Sequence, residues 1–206
     1  MRSPWTKSIL DNLAGRGWVF VDAALPADLC RNLRQCGMDL QKTGKMKPAK
    51  IGPGLSRQKN SLIRDDEIYW LQDQETQAAL KLWLQFLIQL QQDLNQELFL
   101  GAGRFECHFA CYPPGGHYDR HVDQSTAGPQ DRLISFVYYL NNNWKPRDGG
   151  QLVIYKDHES SEIEAQIEPH EGRLVLFQSA KVSHAVAKST SERWSLTGWL
   201  RKNPLF

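Results

Sequence analysis

Two His-x-Asp pairs stand in succession in His117-Tyr118-Asp119-Arg120-His121-Val122-Asp123. On an extended strand residues i and i+2 share a face, so an imidazole and a carboxylate at that spacing can ligate one ion. A single pair carries little information in a chain with six histidines, and two pairs leave open which one is used. The weight comes from downstream. His184 lies in the apolar stretch Val182-Ser183-His184-Ala185-Val186, and Arg193 opens Arg193-Trp194-Ser195-Leu196-Thr197-Gly198-Trp199. Alternation places Arg193, Ser195, Thr197 and Trp199 on one face of that strand. Two histidines and one carboxylate on one face of Fe(II) leave three coordination positions, which a chelating 2-oxo acid and O2 can fill. A guanidinium deeper in the same pocket can pair bidentately with the far carboxylate of 2-oxoglutarate. Taken singly, His184 would be a hydrogen-bonded core histidine and Arg193 a surface charge. Zinc accepts the same donors, and the arginine suited to a dicarboxylate favours iron.

The elements that must position these residues are strands. From Arg104 onward the apolar pattern has period 2, with Phe105, Cys107, Phe109 and Cys111 on one face and Glu106, His108, Ala110 and Tyr112 on the other. Further strands are expected over Leu133–Leu140, Gln151–Tyr155, Ile163–Ile167, Arg173–Phe177, a segment around His184, and Trp194–Arg201. Pro113-Pro114-Gly115-Gly116, Asp148-Gly149-Gly150 and Glu171-Gly172 supply the turns. Ahead of them, Ser3-Pro4 resembles a cap and first-turn proline for a helix carrying Trp5, Ile9 and Leu13. Trp18–Val21 reads as a strand, and Pro26 opens a helix with Leu29, Leu33 and Leu40. Gln74 to Leu98 reads as a long helix whose stripe holds Leu80, Trp83, Leu84, Leu87, Ile88, Leu90 and Leu94. Between Lys42 and Asn60 the apolar period disappears, and a basic loop is expected there, of the length of a lid. The expected architecture is α+β, mainly β: a jelly roll over residues 101–206, buttressed by helices and loop over residues 1–100, in one domain spanning 1–206.

Composition narrows the classes further. The 206 residues carry a formal net charge of +2, which does not suggest a nucleic-acid binder. No apolar run is long enough to span a bilayer, and the N-terminus lacks a signal-peptide core. A cytoplasmic location is therefore expected. Cys30, Cys36, Cys107 and Cys111 form neither a C-x-x-C motif nor a disulfide framework, and are expected to be reduced and buried.

The ordered set Cys111-Tyr112-Pro113, Tyr118-x-x-His121-x-Asp123, Val137-Tyr138-Tyr139-Leu140-Asn141, Gly149-Gly150, His184 and Arg193 resembles that of the prolyl 4-hydroxylases. Ile63-Arg64-Asp65-Asp66-Glu67-Ile68-Tyr69-Trp70-Leu71 is similar to the segment preceding the long helix in the hypoxia-inducible-factor prolyl hydroxylases, the animal oxygen sensors. The likeness runs from about Val19 to Trp199. It implies a double-stranded β-helix core, with His121, Asp123 and His184 as iron ligands. Arg193 and Tyr139 would bind the distal carboxylate of 2-oxoglutarate, Tyr112 would line that pocket, and Thr197 would sit near the iron-bound water. Arg64, Asp66, Arg132 and Trp199 would lie near the substrate entrance, and the Lys42–Asn60 loop would close over the substrate prolyl. The implied cofactors are Fe(II), 2-oxoglutarate and O2, with ascorbate as reductant. The implied reaction is C4 hydroxylation of a prolyl residue in a protein, with succinate and CO2 as co-products. A translation factor such as elongation factor Tu is a candidate partner, and neither membrane nor nucleic acid is expected.

The sequence departs from the family pattern in two places. The turn between Tyr112 and His121 is one residue shorter, and His108 replaces an apolar residue on the face shared with Tyr112. Other readings are an oxygenase of the same fold acting on methylated nucleic acid or a small molecule, and a cupin-like module without turnover. The nucleic-acid enzymes carry a second arginine six residues after the first, where this chain has Trp199.

Overall fold

The computed structural model describes residues 5–49, 62–124 and 130–203. Helix α1 (Lys7–Gly15) is capped by Thr6, whose hydroxyl accepts from the Ile9 N–H. The helix thus starts later than a Ser3 cap would place it, because Thr6 meets the first unpaired amide; Ser3 and Pro4 lie outside the described residues. Strand β1 (Trp18–Val21) leads to α2 (Ala27–Lys42), with Pro26 at its N-cap. A glycine in mid-helix has a packing reason here: a Cβ on Gly37 would stand 2.8 Å from the Trp194 ring.

Lys47–Pro48 forms a two-residue strand, β2, paired with β3 (Glu67–Trp70). This corrects the expectation of one loop from Lys42 to Asn60, since Met46 and Ala49 are buried on either side of β2. Residues 50–60 of that expectation lie outside the described residues. Helix α3 (Ala78–Leu98) begins four residues after the expected Gln74. Glu75 belongs instead to the preceding turn, where its carboxylate accepts from the Gln72 N–H and the Tyr69 hydroxyl. Leu80, Trp83, Leu87, Leu90 and Leu94 are buried, whereas Ile88, expected in that stripe, is exposed.

After α3 the described residues form a short 3-10 helix (Pro146–Asp148) and a run of strands: β4 (Arg104–Tyr112), β5 (Tyr118–His121), β6 (Arg132–Tyr139), β7 (Leu152–Tyr155), β8 (Ile163–Ile167), β9 (Leu174–Gln178), β10 (His184–Val186) and β11 (Arg193–Arg201). A seven-stranded sheet runs β1-β9-β6-β11-β4-β3-β2, and a four-stranded sheet runs β5-β10-β7-β8. The pairings are antiparallel.

Alternation divides the core. On the outer face of the large sheet, Cys107, Phe109, Cys111, Phe136, Tyr138, Trp194 and Leu196 pack against the three helices. On the inner face, Val137, Tyr139, Val175 and Phe177 meet Leu152, Ile154 and Ile167 of the small sheet. A third cluster of Ala110, Tyr112 and Val186 closes one end of this space. The four cysteines are free and buried, Cys107 accepting a bond from the Trp83 indole N–H. No helix among the described residues is long and apolar enough to cross a membrane.

Candidate metal centre and cosubstrate pocket

The small sheet brings two histidines face to face, because His184 of β10 pairs directly with His121 of β5. Asp123 follows two residues after β5. Its Oδ1 stands 3.6 Å from His121 Nε2 and 3.9 Å from His184 Nε2. One ligand atom from each of the three can be chosen so that all lie within 4.8 Å of one another. Among the described residues this is the one His/Cys/Asp/Glu group so arranged.

The atoms turned away from the cluster are occupied. His121 Nδ1 lies 2.7 Å from the Asp119 carbonyl and His184 Nδ1 lies 3.1 Å from the Val182 carbonyl. A carbonyl only accepts, so both rings carry a proton on Nδ1 and turn Nε2 to the centre of the cluster. Burial, together with the neighbouring His121, pulls His184 down to about 4, so it is an uncharged donor at neutral pH. Asp123 Oδ2 accepts from the Ser135 hydroxyl at 2.6 Å, and Ser179 lies 2.9 Å beyond. Burial would raise the Asp123 carboxyl, yet His184, His121 and Ser135 together hold it well below the ordinary carboxylate range. Two imidazoles whose Nε2 atoms face the cluster and an ionised carboxylate fit a divalent metal.

A β-bulge decides which His-x-Asp pair joins the cluster. Between Val186 and His184 of β10 there are two steps, but between Tyr118 and His121 of β5 there are three. The extra residue breaks alternation, so that Tyr118 and His121 turn to one side with ring centroids 3.7 Å apart. Asp119 is left outside with its side chain half exposed, and His117 turns to the Leu62 carbonyl at 3.2 Å. The structure does not bring His117 or Asp119 into the cluster.

Arg193 is almost wholly buried where β11 begins, paired in register with Tyr112. Its Nε donates to the Gly150 carbonyl at 2.7 Å. Gly150 adopts a φ of +68°, and a Cβ there would press on both Arg193 and Trp144 at 3.1 Å, which makes glycine necessary at that turn. Asn141 fixes the neighbouring backbone, accepting from Trp194 N–H and donating to the Pro169 carbonyl. The guanidinium lies 4.9 Å from the centre of the Tyr139 ring and 5.3 Å from that of Tyr112. Among the described residues no carboxylate lies within ion-pair distance of it. Beside it the buried Tyr139 hydroxyl lacks a well-formed hydrogen bond; burial raises its pKa and Arg193 opposes the rise. A buried cation next to an unpaired donor suits an anionic ligand. Thr197 lies farther along β11, its hydroxyl 3.2 Å from Ser195.

The four residues expected at the substrate entrance hold one another. Arg64 forms a bidentate pair with buried Asp66, the Nη2–Oδ2 bond being 2.8 Å, and its guanidinium covers the Tyr118 ring that stacks on His121. Arg132 donates to the Asp123 carbonyl at 3.0 Å and lies 3.6 Å over the Trp199 ring. Ser135 and Ser179 were not singled out from sequence, because a serine inside a strand has no pattern of its own. Arg120 was missed as well: it clamps Ser183, Ser160 and Asp157, tying the β7–β8 loop to the strand that carries His184.

Comparison with known proteins bears on this geometry. Residues 107–201 match the profile described as the 2OG-Fe(II) oxygenase superfamily. The chain is 28% identical over 201 residues to a hypoxia-inducible factor prolyl hydroxylase of Caenorhabditis elegans, covering 93% of this chain and 27% of that protein. It is 32% identical over 167 residues to the human prolyl hydroxylase EGLN3, covering 78% and 68%. Among solved structures, a Pseudomonas putida prolyl-4-hydroxylase is similar at a TM-score of 0.84 and 39% identity, covering 95% of this chain and 98% of that one. A Trichoplax adhaerens prolyl hydroxylase, solved with a hypoxia-inducible-factor peptide fragment, is similar at 0.81 and 26%, covering 94% and 87%. The chain spans only 27% and 38% of the length of the C. elegans protein and of human Egl nine homolog 1.

Proposed function

Since the chain belongs to the 2OG-Fe(II) oxygenase superfamily, we propose that it hydroxylates a prolyl residue of a protein substrate at C4. The reaction consumes 2-oxoglutarate and O2 and releases succinate and CO2. The observation that carries this reading is the pairing of the His121, Asp123 and His184 cluster with Arg193, a buried guanidinium without a carboxylate partner among the described residues. The prolyl substrate class rests on the likeness to the P. putida and human prolyl hydroxylases.

In this reading His121, Asp123 and His184 hold Fe(II), which with 2-oxoglutarate supplies the O2 activation. Nδ1 of each histidine stays protonated on its carbonyl, so no ring rotation is needed when metal binds. Ser135 and Arg132 keep Asp123 from turning away, through its Oδ2 and its backbone carbonyl. Arg193 and Tyr139 receive the distal carboxylate, and Tyr112 forms a wall of that pocket. The apolar inner face excludes water from the reacting carbon. By the resemblance to the prolyl hydroxylases, Thr197 would stand on the metal side of this pocket.

The test is direct. Purified protein with Fe(II), ascorbate and labelled 2-oxoglutarate should release CO2. Mass spectrometry of a lysate treated with it should find one added oxygen on a prolyl residue. Elongation factor Tu is the first protein to try, on the resemblance to bacterial prolyl hydroxylases. Release of CO2 with oxygen added only to nucleic acid or a small molecule would overturn the prolyl reading.

A further inference from the structure

His108 is the least explained polar residue of the inner face. It is 1% exposed, and neither ring nitrogen has a hydrogen-bond partner. It sits between two tryptophans, with ring centroids 4.6 Å from Trp70 and 5.6 Å from Trp199. The Trp199 indole N–H is buried and unpartnered as well. Register sets His108 beside Thr197 on β11 and Trp70 on β3, in the inner-face row next to Trp199. The charged groups that act on the ring are Arg64, Arg132 and Asp123, so it stands among the entrance residues and the metal cluster. Burial first, then the two arginines, lowers it to about 3, so the ring is uncharged at neutral pH.

An uncharged imidazole offers one donor and one acceptor, and the indole adds a second donor. Apolar packing would be better served by an aliphatic side chain, since a buried polar atom without a partner is unfavourable. An anion is the wrong occupant, because the nearby cations are already engaged: Arg64 by Asp66, and Arg132 by Glu106 and the Asp123 carbonyl. A neutral group with one acceptor and one donor completes the set, and a secondary amide has that composition.

We propose that His108, with the Trp199 N–H, is a specificity-determining element that hydrogen-bonds the backbone amide next to the target residue of the substrate. This rests on the prolyl reading of the site and adds which substrate atoms the pocket reads. The amide carbonyl accepts from an N–H of the cage, and the amide N–H donates to the bare nitrogen of His108.

The test uses two small probes, N-acetylproline N-methylamide and N-acetylproline methyl ester, the second lacking the amide N–H. They are titrated into the full chain loaded with 2-oxoglutarate and Zn(II), a diamagnetic stand-in for iron. Dissociation constants and the 15N resonances of the His108 ring are read together. The amide is expected to bind about three- to tenfold more tightly than the ester, as one hydrogen bond allows, and to move the His108 resonances. His108→Met should bring the two probes within about twofold, while His108→Gln, which keeps a donor and an acceptor, should restore part of the gap. Equal binding of both probes by the wild type, with unmoved ring resonances, would overturn the proposal and leave the prolyl reading standing: the nitrogens would then be met by trapped water. Binding of neither probe would overturn both.

Discussion

The inner face of the large sheet meets two polar groups that are built in opposite ways. Around the His121, Asp123 and His184 cluster every atom turned away from the centre has a partner: two carbonyls, a serine hydroxyl and an arginine. Around His108 three nitrogens have none. Each buried atom left unpaired costs about 1–3 kcal/mol, so the second arrangement is the less stable one as it stands. The difference separates two tasks. Ligands that must keep one geometry are locked by surrounding hydrogen bonds, whereas groups that recognise a visiting molecule keep their hydrogen-bonding capacity unspent.

The largest expected effect tests the locked region. His121→Ala should weaken Fe(II) binding by more than about a hundredfold, beyond what loss of a supporting residue does, and abolish turnover. His117→Ala should leave both within about twofold, since its ring turns to Leu62 and not to the cluster. Metal titration followed by labelled-2-oxoglutarate decarboxylation checks both variants, and the opposite ranking would show that the bulge in β5 has been assigned the wrong side.

Next comes Arg193, which shares features of both classes: its Nε is held by Gly150, while among the described residues no carboxylate pairs with the guanidinium. Arg193→Lys keeps the charge and loses the planar fork, so the Michaelis constant for 2-oxoglutarate should rise about tenfold or more. An unchanged constant would mean that another residue receives the carboxylate.

A smaller effect is expected one step out. Ser135→Ala removes the donor to Asp123 Oδ2, freeing the carboxylate to rotate, and Fe(II) affinity should fall about tenfold. The affinity for 2-oxoglutarate, measured with metal saturating, should stay within about twofold. If metal binding is unaffected, the Arg132 bond to the Asp123 carbonyl is sufficient to hold the ligand.

How much of this could be read from sequence follows the same division. Residue types with distinctive chemistry and strict spacing were legible, as with His121, Asp123, His184 and Arg193, and the two faces of β4 follow directly from its alternation. The bulge was not. A one-residue slip in β5 leaves no compositional mark, and simple alternation would have grouped Asp119 with His121. Strand β3 escaped because four residues, Glu67–Trp70, are too few for a period to emerge. The start of α3 was misplaced because Glu75 suits a helix equally well, and only the tertiary bond to Tyr69 draws it into the turn. Ser135 and Ser179 acquire meaning only when β6 and the end of β9 bring them beside Asp123.

The smallest effect bears on the unlocked region and uses stability against pH. The His108 ring is lowered to about 3 in the folded chain, against about 6.5 when unfolded. Between those values the unfolded chain binds the extra proton, so stability rises with pH and falls on acidification. Above about pH 6.5 the ring is neutral in both states and contributes no slope. His184, lowered to about 4, has the same sign in the metal-free protein, as do carboxylates paired in the fold, so the wild-type curve alone cannot isolate His108. The comparison with His108→Gln can, because the other groups titrate alike in both proteins. In metal-free protein at about pH 5, the unfolding free energy from urea titration should fall with acidification more steeply in the wild type. The difference should approach one proton, about 1.4 kcal/mol per pH unit. Equal slopes would mean that His108 takes up its proton in the folded state nearly as readily as in the unfolded one. The cage would then admit water or a counter-charge, and the contrast between a locked and an unspent region would fail where it is now sharpest.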